Sequence, residues 1–140
     1  MILVSACLVG VNCKYSGESN DEKSVHTYLE GKSYIPVCPE QLGGLSTPRP
    51  TCEIVGDKVL NEHGEDCTAA FERGAEEVLK IAKLCGCSSA ILKEGSPSCG
   101  CNLIYDGTFS GKRISGMGLT ARLLSESGIS VQSEKDLLNQ

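Results

Sequence analysis

The stretch Met1-Ile-Leu-Val-Ser-Ala-Cys7 opens the chain with an apolar run that is typical of a strand buried on both faces of a sheet. Two later segments have the same form: Tyr34-Ile-Pro-Val-Cys38, and Ser89-Ala-Ile-Leu-Lys-Glu94 with the loop that leads to Cys99. Carboxyl ends of parallel strands gather at one edge of a sheet, where open α/β folds bind ligands. We therefore expect these three cysteines to meet at that edge.

Helices and hairpins separate the predicted strands. The clearest helix covers 68–84, where apolar residues recur with a period near 3.6. Asp66 or Thr68 can cap its start and Gly86 ends it. The other predicted elements are strands over 1–6, 34–37, 89–93 and 129–132, helices over 22–30 and 119–127, hairpins over 54–60 and 103–113, a glycine-punctuated loop over 8–17, and an irregular extended segment over 38–51.

This order of elements predicts an α/β fold. The elements favour a Rossmann-like, three-layer architecture, since they run in the order β-α-β unit, hairpin, α-β unit, second hairpin and final α-β unit. We expect a mostly parallel sheet with helices on both faces and two inserted hairpins. The length of 140 residues and the 40% hydrophobic content favour one domain over 1–140.

Composition indicates which class of partner and which cellular compartment to expect. The formal charge of −5 argues against a nucleic-acid polymer as partner, because its phosphates favour a basic face. No apolar stretch approaches the length of a membrane span, and no signal peptide is recognisable. Nine cysteines in such a chain then indicate free thiols in a reducing cytoplasm, without a disulfide framework. The sequence leaves the oligomeric state open.

Two loops carry most of the candidate chemistry. Lys93-Glu-Gly-Ser-Pro-Ser-Cys-Gly-Cys101 follows a buried strand and places thiols, hydroxyls, an amine and a carboxylate close together. In Cys38-Pro-Glu40, a thiolate and a carboxylate two residues apart can serve one site as ligand and general acid/base. Structural zinc prefers four closed ligands, commonly in C-x-x-C pairs, which this chain lacks. A [4Fe–4S] cubane held by three thiolates would keep one iron free as a Lewis acid.

The remaining motifs have less specific interpretations. Cys85-Gly-Cys87 lies in a turn at the opposite edge of the sheet and is best interpreted as packing. Cys52 and Cys67 are interpreted as isolated and inert, whereas Cys13 and Cys101 lie close to the candidate ligands. Rival hypotheses for the protein are a structural metal-binding module, a thiol redox or sulfur-carrier protein using Cys99 and Cys101, and a nucleotide-binding domain using residues 116–120.

Four motifs in order resemble the thiouracil desulfidase family, and the resemblance runs from Ile2 to about Glu134. They are V-S-A-C-L-V-G with N-C-K-Y-S-G (4–17), P-V-C-P-E-Q-L-G-G-L-S-T-P-R-P (36–50), I-L-K-E-G-S-P-S-C-G (91–100) and I-Y-D-G-T-F-S-G-K-R-I-S-G-M-G-L-T-A (104–121). One departure is Thr51-Cys52, which adds a thiol near the expected site.

The resemblance implies a non-redox desulfuration in which C=S of a small thiolated nucleobase or related thioamide becomes C=O and hydrosulfide is released. It also implies an oxygen-sensitive [4Fe–4S] cluster whose unique iron takes the substrate sulfur. Carried onto this chain, the cluster ligands are Cys7, Cys38 and Cys99, with Cys13 as the substitute. Glu40 and Ser98 match the catalytic residues. The expected pocket residues are Lys93, Glu94, Ser96 and Asn12.

Overall fold

The structure, a computed structural model, describes residues 1–139, so Gln140 of the predicted domain lies outside the described residues. The strands are β1 (Ile2–Ser5), β2 (Tyr34–Val37), β3 (Cys52–Val55), β4 (Lys58–Asn61), β5 (Ser89–Leu92), β6 (Leu103–Tyr105), β7 (Arg113–Ser115) and β8 (Ser130–Ser133). The α-helices are α1 (Lys23–Leu29), α2 (Pro39–Leu42), α3 (Thr68–Leu84) and α4 (Leu119–Glu126). Short 3₁₀-helices cover Ala6–Val9 and Asp136–Asn139.

Within residues 1–139, a four-stranded parallel sheet has the order β2-β1-β5-β8. Ile2 lies opposite Tyr34 on one side and Ser89 on the other, and Ser89 lies opposite Ser130. The pairs β3-β4 and β6-β7 form separate antiparallel hairpins. The prediction of a mostly parallel sheet with two inserted hairpins is confirmed.

Helices cover both faces of this sheet. Since successive side chains of a strand point to opposite sides, each strand contributes residues to the core on both faces. Leu3, Ala90 and Leu92 belong to a core cluster with residues of α3 and α4. Val4 and Ile91, one position along each strand, belong to a second cluster with residues of α1. The alternation accounts for the uninterrupted apolar runs in β1 and β5, and it confirms the three-layer prediction.

Helix α3 spans the residues that its apolar period predicts, and it buries Phe71, Val78 and Ala82. The prediction that Asp66 or Thr68 caps this helix is wrong, because the N-cap residue is Cys67, which makes no side-chain cap hydrogen bond. The Asp66 carboxylate instead accepts a hydrogen bond from the Thr68 N–H at 2.9 Å from a position just before the cap. Although α3 is 17 residues long, no helix within the described residues is long and apolar enough to cross a membrane.

The prediction of an irregular segment over 38–51 is wrong at its start, where α2 forms a single helical turn. Pro39 occupies the first turn of α2. A backbone N–H there has no acceptor within the helix, so proline, which has no N–H, suits the position. The proline that argued against a helix from sequence thus begins one. The first hairpin also starts earlier than predicted, since β3 begins at Cys52.

A close backbone contact fixes α2 against α3. A Cβ atom on Gly74 would lie 2.0 Å from the Pro39 carbonyl oxygen, and one on Gly43 would lie 2.0 Å from the Ala70 carbonyl oxygen. Both positions therefore require glycine. At Gly74, which lies inside α3, this has a cost, because a helix with glycine in its interior is less stable than one with alanine there. The contact sets the position of Cys38, which directly precedes α2, and of Glu40 in its first turn.

We expect Gly74→Ala to lower the free energy of unfolding by about 1–3 kcal/mol, because the added methyl group overpacks this contact. Denaturant unfolding measures the change. Arg73→Ala, on the exposed side of α3, is the control and should change the free energy by less than about 0.5 kcal/mol. A Gly74→Ala variant at least as stable as the wild type would contradict the role given to this contact.

Candidate active site

A cavity of about 450 Å³ lies at the edge of the sheet where the parallel strands end. The predicted meeting of the thiols is observed, since Cys7, Cys38 and Cys99 all line it. Each follows a different strand. Cys7 lies in the 3₁₀-helix after β1, Cys38 comes directly after β2, and Cys99 lies in the loop after β5. Two further thiols, Cys13 and Cys52, also line the cavity.

The thiols influence one another's ionisation, which reflects their proximity. Burial raises the pKa of Cys7, and the nearby Cys38 adds to the rise, while a hydrogen bond from the Asn20 amide nitrogen at 3.4 Å opposes it. Burial raises the pKa of Cys99 to about 12, and Cys7 contributes. A hydrogen bond between Cys13 and Cys38 lowers the pKa of Cys38 and raises that of Cys13. Among these four thiols, Cys38 is therefore the one whose ionisation the surroundings favour.

Glu40 connects α2 to the loop after β5. Its Oε1 atom accepts a hydrogen bond from the Arg49 Nε atom at 2.9 Å, and its Oε2 atom accepts one from the Ser98 hydroxyl at 2.9 Å. The Ser96 hydroxyl lies 2.9 Å from that of Ser98 and 3.5 Å from Glu40 Oε2. A carboxylate and two hydroxyls thus share one hydrogen-bonded network beside the thiols.

Arg49 is a site residue that the sequence analysis missed. Its side chain is buried, and besides pairing with Glu40 it donates to the Cys13 carbonyl oxygen at 2.9 Å and the Thr47 hydroxyl at 3.0 Å. It therefore ties the loop that carries Cys13 to the carboxylate. The P-R-P sequence suggested only extended backbone, because a solvent-exposed arginine is the ordinary expectation.

The carboxylate of Glu94 holds the loop after β5 in place. Its Oε1 atom accepts hydrogen bonds from the backbone N–H groups of Cys101, Asn102 and Leu103 at 2.9 to 3.0 Å, and Oε2 accepts one from the Asn102 side chain at 3.0 Å. Burial alone raises the pKa of Glu94, but these hydrogen bonds outweigh it and hold the pKa below its usual range. Glu94 lines the cavity, yet its carboxylate is committed to the loop.

The other predicted pocket residues have different positions. Lys93 lines the cavity, and its Nζ atom lies 3.1 Å from the buried Glu134 carboxylate and donates to the Glu94 carbonyl oxygen at 2.9 Å. Ser96 also lines the cavity. Asn12 is exposed and does not belong to the lining. The geometry therefore gives no support to a pocket role for Asn12.

The N-terminus of α4 is occupied by the same loop. The N–H groups of Leu119 and Thr120 donate to the carbonyl oxygens of Pro97 and Ser98 at 2.9 Å. A Cβ atom on Gly118 would lie 2.5 Å from the Ser98 carbonyl group, so glycine is required at that contact. These N–H groups are therefore committed to the loop, which weakens the hypothesis of a nucleotide site over 116–120.

The prediction that Cys52 and Cys67 are isolated is wrong. Burial raises the pKa of Cys52 to about 12, and the neighbouring Cys67 adds to the rise. Cys101 is buried and donates to the Cys99 carbonyl oxygen at 3.6 Å, but it does not line the cavity. All nine cysteines, each within the described residues, are free thiols.

The donor set decides which inorganic group the residues fit. Among residues 1–139, no three His, Cys, Asp or Glu side chains converge on a position for a single metal ion. A [4Fe–4S] cluster poses a different requirement, because its thiolates bind separate irons around a cube. Three soft thiol donors that come from different segments and line one cavity fit such a cluster.

Comparison with known proteins agrees with this geometry. The sequence profile of the family described as 2-thiouracil desulfurase matches residues 2–136. The chain belongs to this family. The uncharacterized protein YbbK of Bacillus subtilis (strain 168) is 44% identical over 147 aligned positions, which cover 98% of this chain and 97% of YbbK.

A solved structure confirms the fold. The [4Fe–4S]-dependent thiouracil desulfidase TudS matches with a TM-score of 0.91 and 45% sequence identity. The match covers 99% of this chain and 93% of the TudS chain. The resemblance that the four sequence motifs carried is thereby confirmed at the level of family and fold.

We expect Glu94→Gln to lower the free energy of unfolding at neutral pH by about 1–3 kcal/mol, because the glutamine NH₂ group would face the Asn102 amide nitrogen, which also donates. The lowered pKa of Glu94 adds a pH dependence. Its stabilisation is present above the pKa of the unfolded chain and is lost as pH falls through the pKa of the folded state.

Denaturant unfolding across an acid series tests this expectation. The difference between wild type and Glu94→Gln should shrink as the wild-type carboxylate is protonated. Glu76→Gln, at an exposed position of α3, is the control and should leave stability unchanged at every pH. A Glu94→Gln difference that stays constant into acid would show that charge plays no part in holding the loop.

Proposed function

We propose that this chain is an iron–sulfur-dependent desulfidase that replaces C=S of a thiolated nucleobase or related thioamide by C=O and releases hydrosulfide without net electron transfer. The proposal takes residues 1–140 as one domain and a reducing cytoplasm as its setting. The observation that carries it is one cavity lined by Cys7, Cys38 and Cys99 together with Glu40 and Ser98. Membership of the desulfurase family and the match to TudS support it.

Cys7, Cys38 and Cys99 are the proposed ligands of a [4Fe–4S] cluster. When bound through three protein thiolates, such a cluster supplies an iron with an open position that polarises the substrate's thiocarbonyl group. Burial disfavours ionisation of free Cys7 and Cys99, so their binding as thiolates releases protons. Asn20 donates to the Cys7 sulfur and orients it.

Glu40 is the proposed general base. Its carboxylate removes a proton from a water molecule, which attacks the thiocarbonyl carbon. The Arg49 guanidinium group fixes one carboxylate oxygen, so the other faces Ser98. The Ser98 hydroxyl lies between Glu40 and the Cys99 sulfur, at 2.9 Å and 3.7 Å respectively. From that position it passes the proton to the leaving sulfur or to the ring.

A small thiolated molecule suits the cavity. Its volume of about 450 Å³ lies within the range of small-molecule sites. Lys93 and Ser96 are the proposed polar contacts of the substrate, since both line the cavity. A nucleic-acid polymer is a poor fit to the net charge of −5. The alternative of a thiol redox or sulfur-carrier protein using Cys99 and Cys101 is less favoured, because Cys101 does not line the cavity.

We expect wild-type protein reconstituted without oxygen to bind about four iron and four sulfide ions per chain, with broad visible absorbance. Cys7→Ser, Cys38→Ser and Cys99→Ser should each lose most of the bound iron, since each removes a ligand. Cys101→Ser and the exposed Cys85→Ser should retain it. Iron and sulfide quantitation provides the measurement.

Two outcomes would correct the proposal. Loss of iron in Cys13→Ser, together with its retention in one of the three ligand variants, would reassign the ligand. Wild-type protein that binds zinc stoichiometrically and no iron would favour the structural metal-binding module. In that case the desulfidase proposal would be rejected.

We expect Glu40→Gln and Ser98→Ala to retain the cluster but to lower kcat for sulfide release from 2-thiouracil by roughly 10²–10⁴-fold, because each removes a proton-transfer group. Glu62→Gln is the control, since Glu62 is an exposed carboxylate that lines the same cavity. It should leave kcat within about twofold of wild type. Full activity of Glu40→Gln would exclude Glu40 as the base.

A further inference from the structure

Phe109 has an unusual backbone conformation at the tip of the β6–β7 hairpin. Its φ angle is 56°, in the left-handed region that bulky residues rarely adopt. The residue is 38% exposed, although phenylalanine is ordinarily buried. It lines the site cavity together with Tyr105 of the same hairpin. An aromatic residue is thus held at the cavity in an unfavourable backbone conformation.

The buried carboxylate of Glu53 in β3 keeps the hairpin tip in this position. Its Oε1 atom accepts hydrogen bonds from the Gly107 N–H at 3.0 Å and the Phe109 N–H at 3.1 Å. A Cβ atom on Gly107 would lie 2.7 Å from the Ile54 carbonyl oxygen, so the tip contacts the first hairpin directly. The Asp106 carboxylate also accepts a hydrogen bond from the Thr108 N–H at 3.0 Å. The tip is therefore well fixed.

The ring of Phe109 does not serve the core. Neither of the two buried clusters within residues 1–139 includes it. Backbone strain persists where surrounding contacts enforce it, and it is concentrated at functional sites. Here the enforced residue is aromatic, and it lines a cavity that is also lined by thiols, hydroxyls, charged groups and the aromatic residues Tyr15 and Tyr105.

We propose that Phe109 is a specificity-determining residue whose ring stacks on the flat heterocycle of the substrate. The inference rests on the proposed function and refines it, because stacking selects aromatic thioamides over saturated ones. Cysteine and glutamate side chains can act on either kind of thioamide, so they provide no such selection. Aromatic stacking favours any planar base. Phe109 would therefore accept substrates with different ring substituents but would disfavour substrates whose ring is puckered.

The variant Phe109→Gly separates this role from a structural one. Glycine adopts a positive φ readily, so the hairpin should keep its conformation and the melting temperature should stay equal to or above that of wild type. In the reconstituted enzyme, KM for 2-thiouracil should rise about tenfold or more with kcat within about twofold. KM for 5,6-dihydro-2-thiouracil, which carries the same thioamide in a puckered ring, should change less than about twofold.

Ile114→Ala is the matched control, because Ile114 is exposed on the same hairpin but does not line the cavity. It should change neither KM value. Equal KM values of Phe109→Gly and wild type for 2-thiouracil, or equal rises for both substrates, would overturn the proposal. If Phe109→Gly unfolds, Phe109→Leu decides the matter, since it keeps apolar bulk without the ring. Stacking predicts a higher KM for 2-thiouracil in Phe109→Leu, and an unchanged KM would overturn it.

Failure of the proposed function gives a different result. In that case wild-type protein releases no sulfide from 2-thiouracil. Calorimetric titration of 2-thiouracil into wild-type and Phe109→Gly protein then still tests whether Phe109 stacks on the base. A dissociation constant about tenfold higher in the variant supports stacking, and equal constants or no binding to either protein reject it.

Discussion

Backbone N–H groups from three successive residues, at the end of the loop after β5 and the start of β6, point at one carboxylate, that of Glu94, and the arrangement of the site depends on that contact. The loop turns back on itself because the carboxylate replaces the partners that a sheet or helix would provide. Cys99 and Ser98 lie within the enclosed segment. A residue predicted to contact substrate therefore acts on the backbone that carries the reactive groups.

Contacts that only glycine allows attach this loop and its neighbour to the helices. Gly118 lets the start of α4 approach the backbone of Ser98, and Gly74 lets α3 approach the backbone of Pro39. The Ser98 hydroxyl then joins the two segments through Glu40. The position of the proposed base is thus set by helices that bury their other faces in the core, which explains how short loops hold a defined geometry.

The sequence predicted the fold and the meeting of the thiols for a simple reason. Apolar runs identify buried strands, and parallel strands end at one edge, so Cys7 and Cys38 could be placed without coordinates. The pairing of Arg49 with Glu40, and the use of Glu94 by the backbone, could not be predicted because each depends on tertiary contacts. Pro39 misled the prediction because proline both breaks helices and begins them.

The site draws on nearly the whole length of the chain, and this has a consequence for biosynthesis. The N–H group of Glu94 donates to the buried carboxylate of Glu134, which directly follows β8, and β8 completes the sheet beside β5. A nascent chain on the ribosome lacks these contacts until residue 134 has left the exit tunnel. The site is therefore completed only after the last strand of the sheet has emerged, and until then Cys7 and Cys38 lack the later segments that enclose them.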